Sequence, residues 1–184
     1  MKFARTFSVA LVLVALTTVG YAAKNPIVGG KEMFPNKNIV ENAVNSADHT
    51  TLVAAVKAAG LVETLQSPGP FTVFAPTNAA FQKLPAGTVE VLLKPENKPL
   101  LTKVLTYHVV PGRLSSGADL RKQIEMAHGA AMLKTVSGDM LWATMQGRDI
   151  FVRDEKGSVA KLTQVNVFQS NGVIHVIDTV VQPS

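Results

Sequence analysis

The feature that most constrains this chain is a change of hydrophobic period. Up to about residue 110 apolar residues recur mostly at helical spacing in short pieces; from Ala131 onward the period becomes two. Leu133 to Val136, Met140 to Met145, Ile150 to Arg153, Val159 to Phe168 and Val173 to Ile177 read as strands. They are separated by turn signals at Ser137-Gly138-Asp139, Gln146-Gly147-Arg148, Glu155-Lys156-Gly157 and Ser170-Asn171-Gly172. Asn171-Gly172 is the sharpest of these, because the two-residue hairpin turn that matches strand twist takes positive φ at both positions. Helices followed by an antiparallel meander define an α+β fold rather than a parallel sheet.

The first half carries its own punctuation. Asn38 and Glu41 form a capping-box pattern ahead of Ile39, Val40, Ala43 and Val44. Asp48 is placed to cap a second helix, with Leu52, Val53, Val56 and Ala59 on one face and Gly60 at its end. Phe71 to Phe74 is a short strand that Pro76 interrupts, after which Thr77 or Asn78 can cap a helix beginning at Ala79. Thr88 starts a further helix ending near Lys94-Pro95. Asn97 starts another, in which Leu101, Val104, Leu105 and His108 share a face. That helix overlaps a strand reading of Tyr107 to Val110, which Pro111-Gly112 stops.

Residues 1–22 have the make-up of a cleaved signal peptide: Lys2 and Arg5, an apolar run from Phe7 to Val19, then Gly20 and Ala22 at the exit. The run is shorter than the roughly 18 residues a membrane span needs. Residues 23–37, with Asn25-Pro26, Gly29-Gly30 and Pro35, read as an irregular lead-in, and residues 38–184 as one domain. Loss of Lys2 and Arg5 lowers the formal net charge from +5 to +3. The basic residues are scattered and not interleaved with aromatics, which argues against a nucleic-acid partner. There is no cysteine, so thiolate metal sites, thiol nucleophiles and a cysteine-linked lipid are excluded, and an exported domain must be held by its core alone.

Three blocks, Phe71-Thr-Val-Phe-Ala-Pro-Thr-Asn-Ala-Ala-Phe81, Leu105-Thr-Tyr-His-Val-Val-Pro-Gly112 and Asn171-Gly-Val-Ile-His-Val-Ile-Asp178, resemble the fasciclin domain. The resemblance runs from about Asn38 to Pro183. It implies a twisted, antiparallel-rich β-structure of about seven strands flanked by several short helices, and the chain length suggests one copy. It also implies adhesion or protein-protein contact at a cell surface or matrix, without a cofactor. The Tyr-His segment matches Tyr107-His108 and is implicated in receptor binding in animal relatives.

Chemistry-bearing residues have two readings here. His108 can be a buried neutral imidazole fixing Thr77 or Asn78 at the corner, in a structural polar cluster to which His175 and Asp178 contribute at the last strand. Alternatively, Tyr107, His108 and Arg113 border a partner site, with Arg121 and Lys122 attracting an acidic surface. His175 shares a strand face with Val173 and Ile177 while Asp178 points away, so the two make a poor metal pair. His49 and His128 read as exposed, and no set of ligands has metal-site spacing. Ser115-Ser116-Gly117 and Ser170-Asn171-Gly172 lie in turns and lack a nucleophile elbow.

The sequence therefore reads as an exported, non-catalytic binding module, secreted or periplasmic, without metal or cofactor. Its partner would be a protein or a matrix or cell-surface component. The alternative reading is a carrier or sensor of a small apolar ligand in a groove between helices and sheet.

Overall fold

The computed structural model describes residues 25–115 and 119–184, so the expected signal peptide lies outside the described residues. The lead-in is not irregular. Ile27–Val28 (β1) and Lys31–Glu32 (β2) form a small hairpin whose two turn residues, Gly29 and Gly30, have φ of +55° and +75°. Positive φ at both positions is the geometry expected of Asn171-Gly172, and here glycine supplies it at no steric cost. Val28 and Met33 then enter the core.

Four short helical pieces follow: α1 (Ile39–Ala43), a 3-10 turn over Ala47–His49, α2 (Thr50–Ala59) and α3 (Val62–Gln66). The capping box forms as expected, Asn38 accepting from the Glu41 N–H and the Glu41 carboxylate accepting from the Asn38 N–H. Gly60 ends α2 at φ +74°. Strand β3 (Phe71–Pro76) leads through the corner into α4 (Asn78–Gln82), then α5 (Thr88–Leu92), α6 (Lys98–Tyr107), β4 (Val109–Pro111) and α7 (Arg121–Met126). Tyr107 is thus the last residue of a helix, and the overlapping strand begins only at Val109. The meander comprises β5 (Ala130–Lys134), β6 (Met140–Gln146), β7 (Asp149–Arg153), β8 (Val159–Gln169) and β9 (Gly172–Ile177).

Seven strands make one sheet in the order β4-β3-β9-β8-β7-β6-β5. All pairings are antiparallel except β3 with β9, which run parallel from Phe71↔Gly172 to Pro76↔Ile177. β9 lies between β3 and β8 and is packed on both faces, Ile174 and Val176 against one half of the core and Ile177 against the other, so every one of its residues is buried. That is why the segment reads as a continuous apolar run rather than an alternating one. Side chains of β3 and β9 divide the core in two. Val73, Ala75, Ile174 and Val176 pack under the N-terminal helices, and Phe74 and Ile177 join Tyr107, Leu120, Ile124 and the inner face of β5 to β8.

The β8–β9 turn corrects the sequence reading. Its two residues are Ser170 and Asn171, and among described residues positive φ outside glycine occurs only at His128 and Asn166. Gly172 is required for a different reason: a β-carbon there would collide with the Phe71 carbonyl and come within 2.9 Å of Ile39 Cδ1. Asn171 is a buried clasp. Its Oδ1 accepts from Ile39 N at 3.0 Å, and its Nδ2 donates to Leu65 O and Ser67 O at 2.8 and 3.0 Å. Nearby, Asn42 Nδ2 donates to Gln169 Oε1 and to Phe34 O, tying α1 to the end of β8.

Candidate functional site

The strand-to-helix corner shows why its residues are polar. Thr77 caps α4 by accepting the Ala80 N–H at 3.2 Å. Asn78 does something sequence reading missed: its Oδ1 accepts Thr51 N at 3.0 Å and Thr50 Oγ1 at 3.2 Å, while its Nδ2 donates to Ala47 O at 2.9 Å. It therefore caps α2 from another part of the chain. Asp48 makes no cap there, and α2 has no side-chain cap of its own.

His108 is not part of that corner. Its Nδ1 donates to Val104 O at 2.8 Å, and its Nε2 accepts the Val181 N–H at 3.3 Å. The expected cluster of Thr77, Asn78 and His108 is thus three separate structural sites, because the ring at the end of α6 turns toward its own helix and the C-terminal segment. Only the His108 backbone reaches β3, its carbonyl accepting Phe74 N at 2.9 Å. Burial lowers the imidazole pKa to about 4, outweighing the Val104 carbonyl and Asp154, which raise it.

His175 is a second internal imidazole, fully buried. Nε2 donates to Leu114 O at 2.8 Å, Nδ1 accepts Asn166 N at 3.3 Å, and the ring stacks on Phe74 with centroids 5.8 Å apart. Burial lowers its pKa as well, against the opposing effect of the Leu114 carbonyl. Asp178 has its own duties, accepting Lys161 N at 2.9 Å and pairing with Lys83 at 3.7 Å. His175 and Asp178 therefore join no common cluster with His108 or Asn78.

The expected partner site is corrected at Tyr107 and His108. Tyr107 is fully buried, its hydroxyl donating to Met140 O at 2.7 Å and accepting Glu155 N at 3.3 Å, so neither ring nor hydroxyl faces a partner. Burial pushes the phenol pKa well up, with the Glu155 N–H opposing. His108 is likewise buried. Arg113 Nη2 donates to Gln169 O and Ser170 O at 3.0 and 3.3 Å, holding the end of β8. Arg121 is stapled to Met145 Sδ and Arg148 O, at 2.8 and 2.6 Å. Lys122 is exposed, as is His128, but His49 is buried, contrary to expectation. Among the described residues no three of His, Asp and Glu converge as metal ligands would, and no helix is long and apolar enough to cross a membrane.

Accessible binding chemistry lies instead on the outer face of the meander. Ala131, Leu133, Leu141, Ala143, Ile150, Val152 and Ala160 fill the inner face. Alternation then sends Met132, Trp142, Arg153 and Val159 outward in one cross-strand row, with Phe151 and Lys161 in the neighbouring row. Arg153 lies over Trp142, its guanidinium carbon 5.5 Å from the ring centroid. Met132 is 65% exposed, Arg153 is exposed and Trp142 is half-buried. Lys161 pairs with Asp149 at 2.7 Å across the neighbouring strand.

The seven-stranded sheet, the parallel β3–β9 pair and the corner capped by Thr77 define an α+β fold of fasciclin type, and comparison with known proteins agrees. The chain belongs to the fasciclin family: the Fasciclin domain model matches residues 47–183. It is 44% identical over 179 residues to protein sll1483 of Synechocystis sp., covering 96% of this chain and 91% of that one. It is 35% identical over 173 residues to the cell surface glycolipoprotein MPB83 of Mycobacterium bovis, covering 89% and 69%. Among solved structures, a FAS1 domain pair from the insect cell adhesion molecule Fasciclin I matches with TM-score 0.56 at 22% identity, over 71% of this chain and 43% of that chain.

Proposed function

We propose that this protein is an exported, non-catalytic binding module of the cell surface, periplasm or surrounding matrix, and that it binds through the outer face of β5 to β8. The observation that carries this reading is the Met132–Trp142–Arg153 row, where a flexible apolar side chain, an indole and a guanidinium lie together on an open sheet face. Tryptophan and arginine are the side chains that most often dominate interface energetics. The adhesion-molecule and cell-surface relatives support the class of function. Lys134 and Arg153 at the same face favour a protein or matrix component presenting acidic groups.

The test is a pair of folded variants, Trp142→Ala and Arg153→Ala, assayed beside wild type for retention on native envelope or matrix material. Both are expected to weaken retention at least tenfold while melting within a few degrees of wild type, and added salt should weaken wild type more than Arg153→Ala. Undiminished retention by both variants would move the site off this face.

A further inference from the structure

Between the N-terminal helices and the sheet lies a second feature, independent of the outer face. A cavity of about 80 Å³ is lined by apolar side chains that include Met33, Val53, Val56, Val73 and Ile174, together with His49. His49 is 3% exposed. Its Nδ1 is 2.8 Å from Ser46 Oγ, and Nε2 is the one buried side-chain nitrogen or oxygen among the described residues without a hydrogen-bond partner. The Ala75 carbonyl lies near the ring but outside hydrogen-bonding geometry. Burial holds the pKa of His49 below the ordinary imidazole value, with the Ala75 carbonyl and Asp48 opposing, so the ring is neutral near pH 7. The other two buried histidines, His108 and His175, use both nitrogens, so among the buried imidazoles of the described residues His49, which lines this cavity, alone keeps one open.

A lone unpaired nitrogen in an apolar cavity selects its occupant. Water is held well only with two to four polar partners, and the buried Ser46 and His108 side chains of the lining are already hydrogen-bonded. A purely apolar molecule would leave the nitrogen unpaired, which costs the desolvation of a buried polar group. We infer that the cavity is a binding site for a small, largely apolar molecule carrying a single hydroxyl, which hydrogen-bonds to His49 Nε2 while its hydrocarbon part packs on Met33, Val56 and Ile174. The volume sets the size, since a dry cavity of about 150 Å³ accommodates benzene and this one is about half as large. A short-chain alcohol fits, and bulkier ligands require Met33, an adaptable side chain, to move.

The probe is ethanol, titrated into the folded protein while the methyl resonances of Val73 and Ile174, which line the cavity, are followed by NMR. A saturable shift with a millimolar Kd is expected in wild type, with chloroethane, which lacks the hydroxyl, binding at least tenfold more weakly. Val56→Phe, which fills the cavity while leaving His49 intact, should abolish the saturable shift, and His49→Leu should bring binding of the two probes to within about twofold. A non-saturating shift in wild type, equal binding of the two probes, or binding undiminished in Val56→Phe would each overturn the assignment. Because neither variant touches the outer face of the meander, retention on envelope material reports on that face separately.

Discussion

His108 Nε2 and the Val181 N–H, 73 residues apart, meet at 3.3 Å in the interior. The bond has a direction: the neutral ring accepts there because its Nδ1 donates to Val104 O, and a protonated ring would present an N–H to an N–H.

Acid should therefore loosen the domain. Between the unfolded imidazole pKa near 6.5 and the folded value of about 4, the unfolded chain takes up a proton that the folded one refuses. The contribution is complete above pH 6.5 and is lost as pH falls through that window, reaching on the order of 3 kcal/mol for His108. His49 and His175 are lowered in the same direction and add to it. Chemical denaturation at pH 7, 5.5 and 4.5 should show falling midpoints, with a shallower dependence in His108→Gln. An acid dependence in that variant as steep as in wild type would remove His108 as a cause.

His108→Ala leaves the Val181 N–H unpaired and opens a void, costing about 1–3 kcal/mol. For a domain of this size the melting temperature should drop by roughly 3–10 °C. Tyr107→Phe, which orphans the Glu155 N–H and removes the donor to Met140 O, should also lower it while leaving partner binding intact.

Asn78→Ala should destabilise by about 1–2 kcal/mol, since it uncaps α2 at Thr51 and frees the Ala47 carbonyl. Asn171→Ala should cost more, because three backbone groups of α1 and the end of α3 lose their partner within the core. Hydrogen exchange should show protection falling first in residues 47–53 for the former, and around Ile39 and Leu65 for the latter. Uniform loss across the domain in both would contradict these separate roles.

Two glycines distinguish crowding from backbone strain. Gly112 has φ +96° and open space where a β-carbon would stand, so Gly112→Ala carries only the conformational cost of about 1–2 kcal/mol. Gly172→Ala places a methyl against the Phe71 carbonyl within the parallel pair and should destabilise more, with the β3–β9 contact displaced. A denaturation series that ranks Gly112→Ala as the more harmful would refute the crowding.

Much of this fold is legible in the sequence where local periodicity decides it. The five strands of the meander fall within three residues of their expected bounds, β5 to β8 because alternation there reflects one buried and one more open face, and β9 because turn residues bound a continuous apolar run. The capping box at Asn38 is legible for the same reason, since donor and acceptor lie within one turn. What local pattern does not carry is partner choice across the chain. Asn78 serves α2, Asn171 serves α1 and α3, and Tyr107 spends its hydroxyl on Met140 and Glu155, all at separations no window of residues contains. His49 reads as exposed beside Asp48 because its helix begins in a polar stretch, yet the Gly29-Gly30 hairpin and the sheet close over it. The Gly29 site leaves no room for a β-carbon beside Ser46 and Ala47. Charge and aromatic content at Tyr107-His108-Arg113 suggested a contact surface. Burial places Tyr107 and His108 in the interior, while Arg113 stays exposed and bonds the carbonyls of Gln169 and Ser170.

The parallel alignment of β3 with β9 also sets a clock. A chain emerging amino end first presents Phe71 about a hundred residues before Gly172 can reach it, and closing a loop of that length costs roughly 4 kcal/mol before any contact is gained. Until then neither half of the core has its central wall, so neither is complete before the last strand arrives. Closure by β9 then joins the two halves in a single late event.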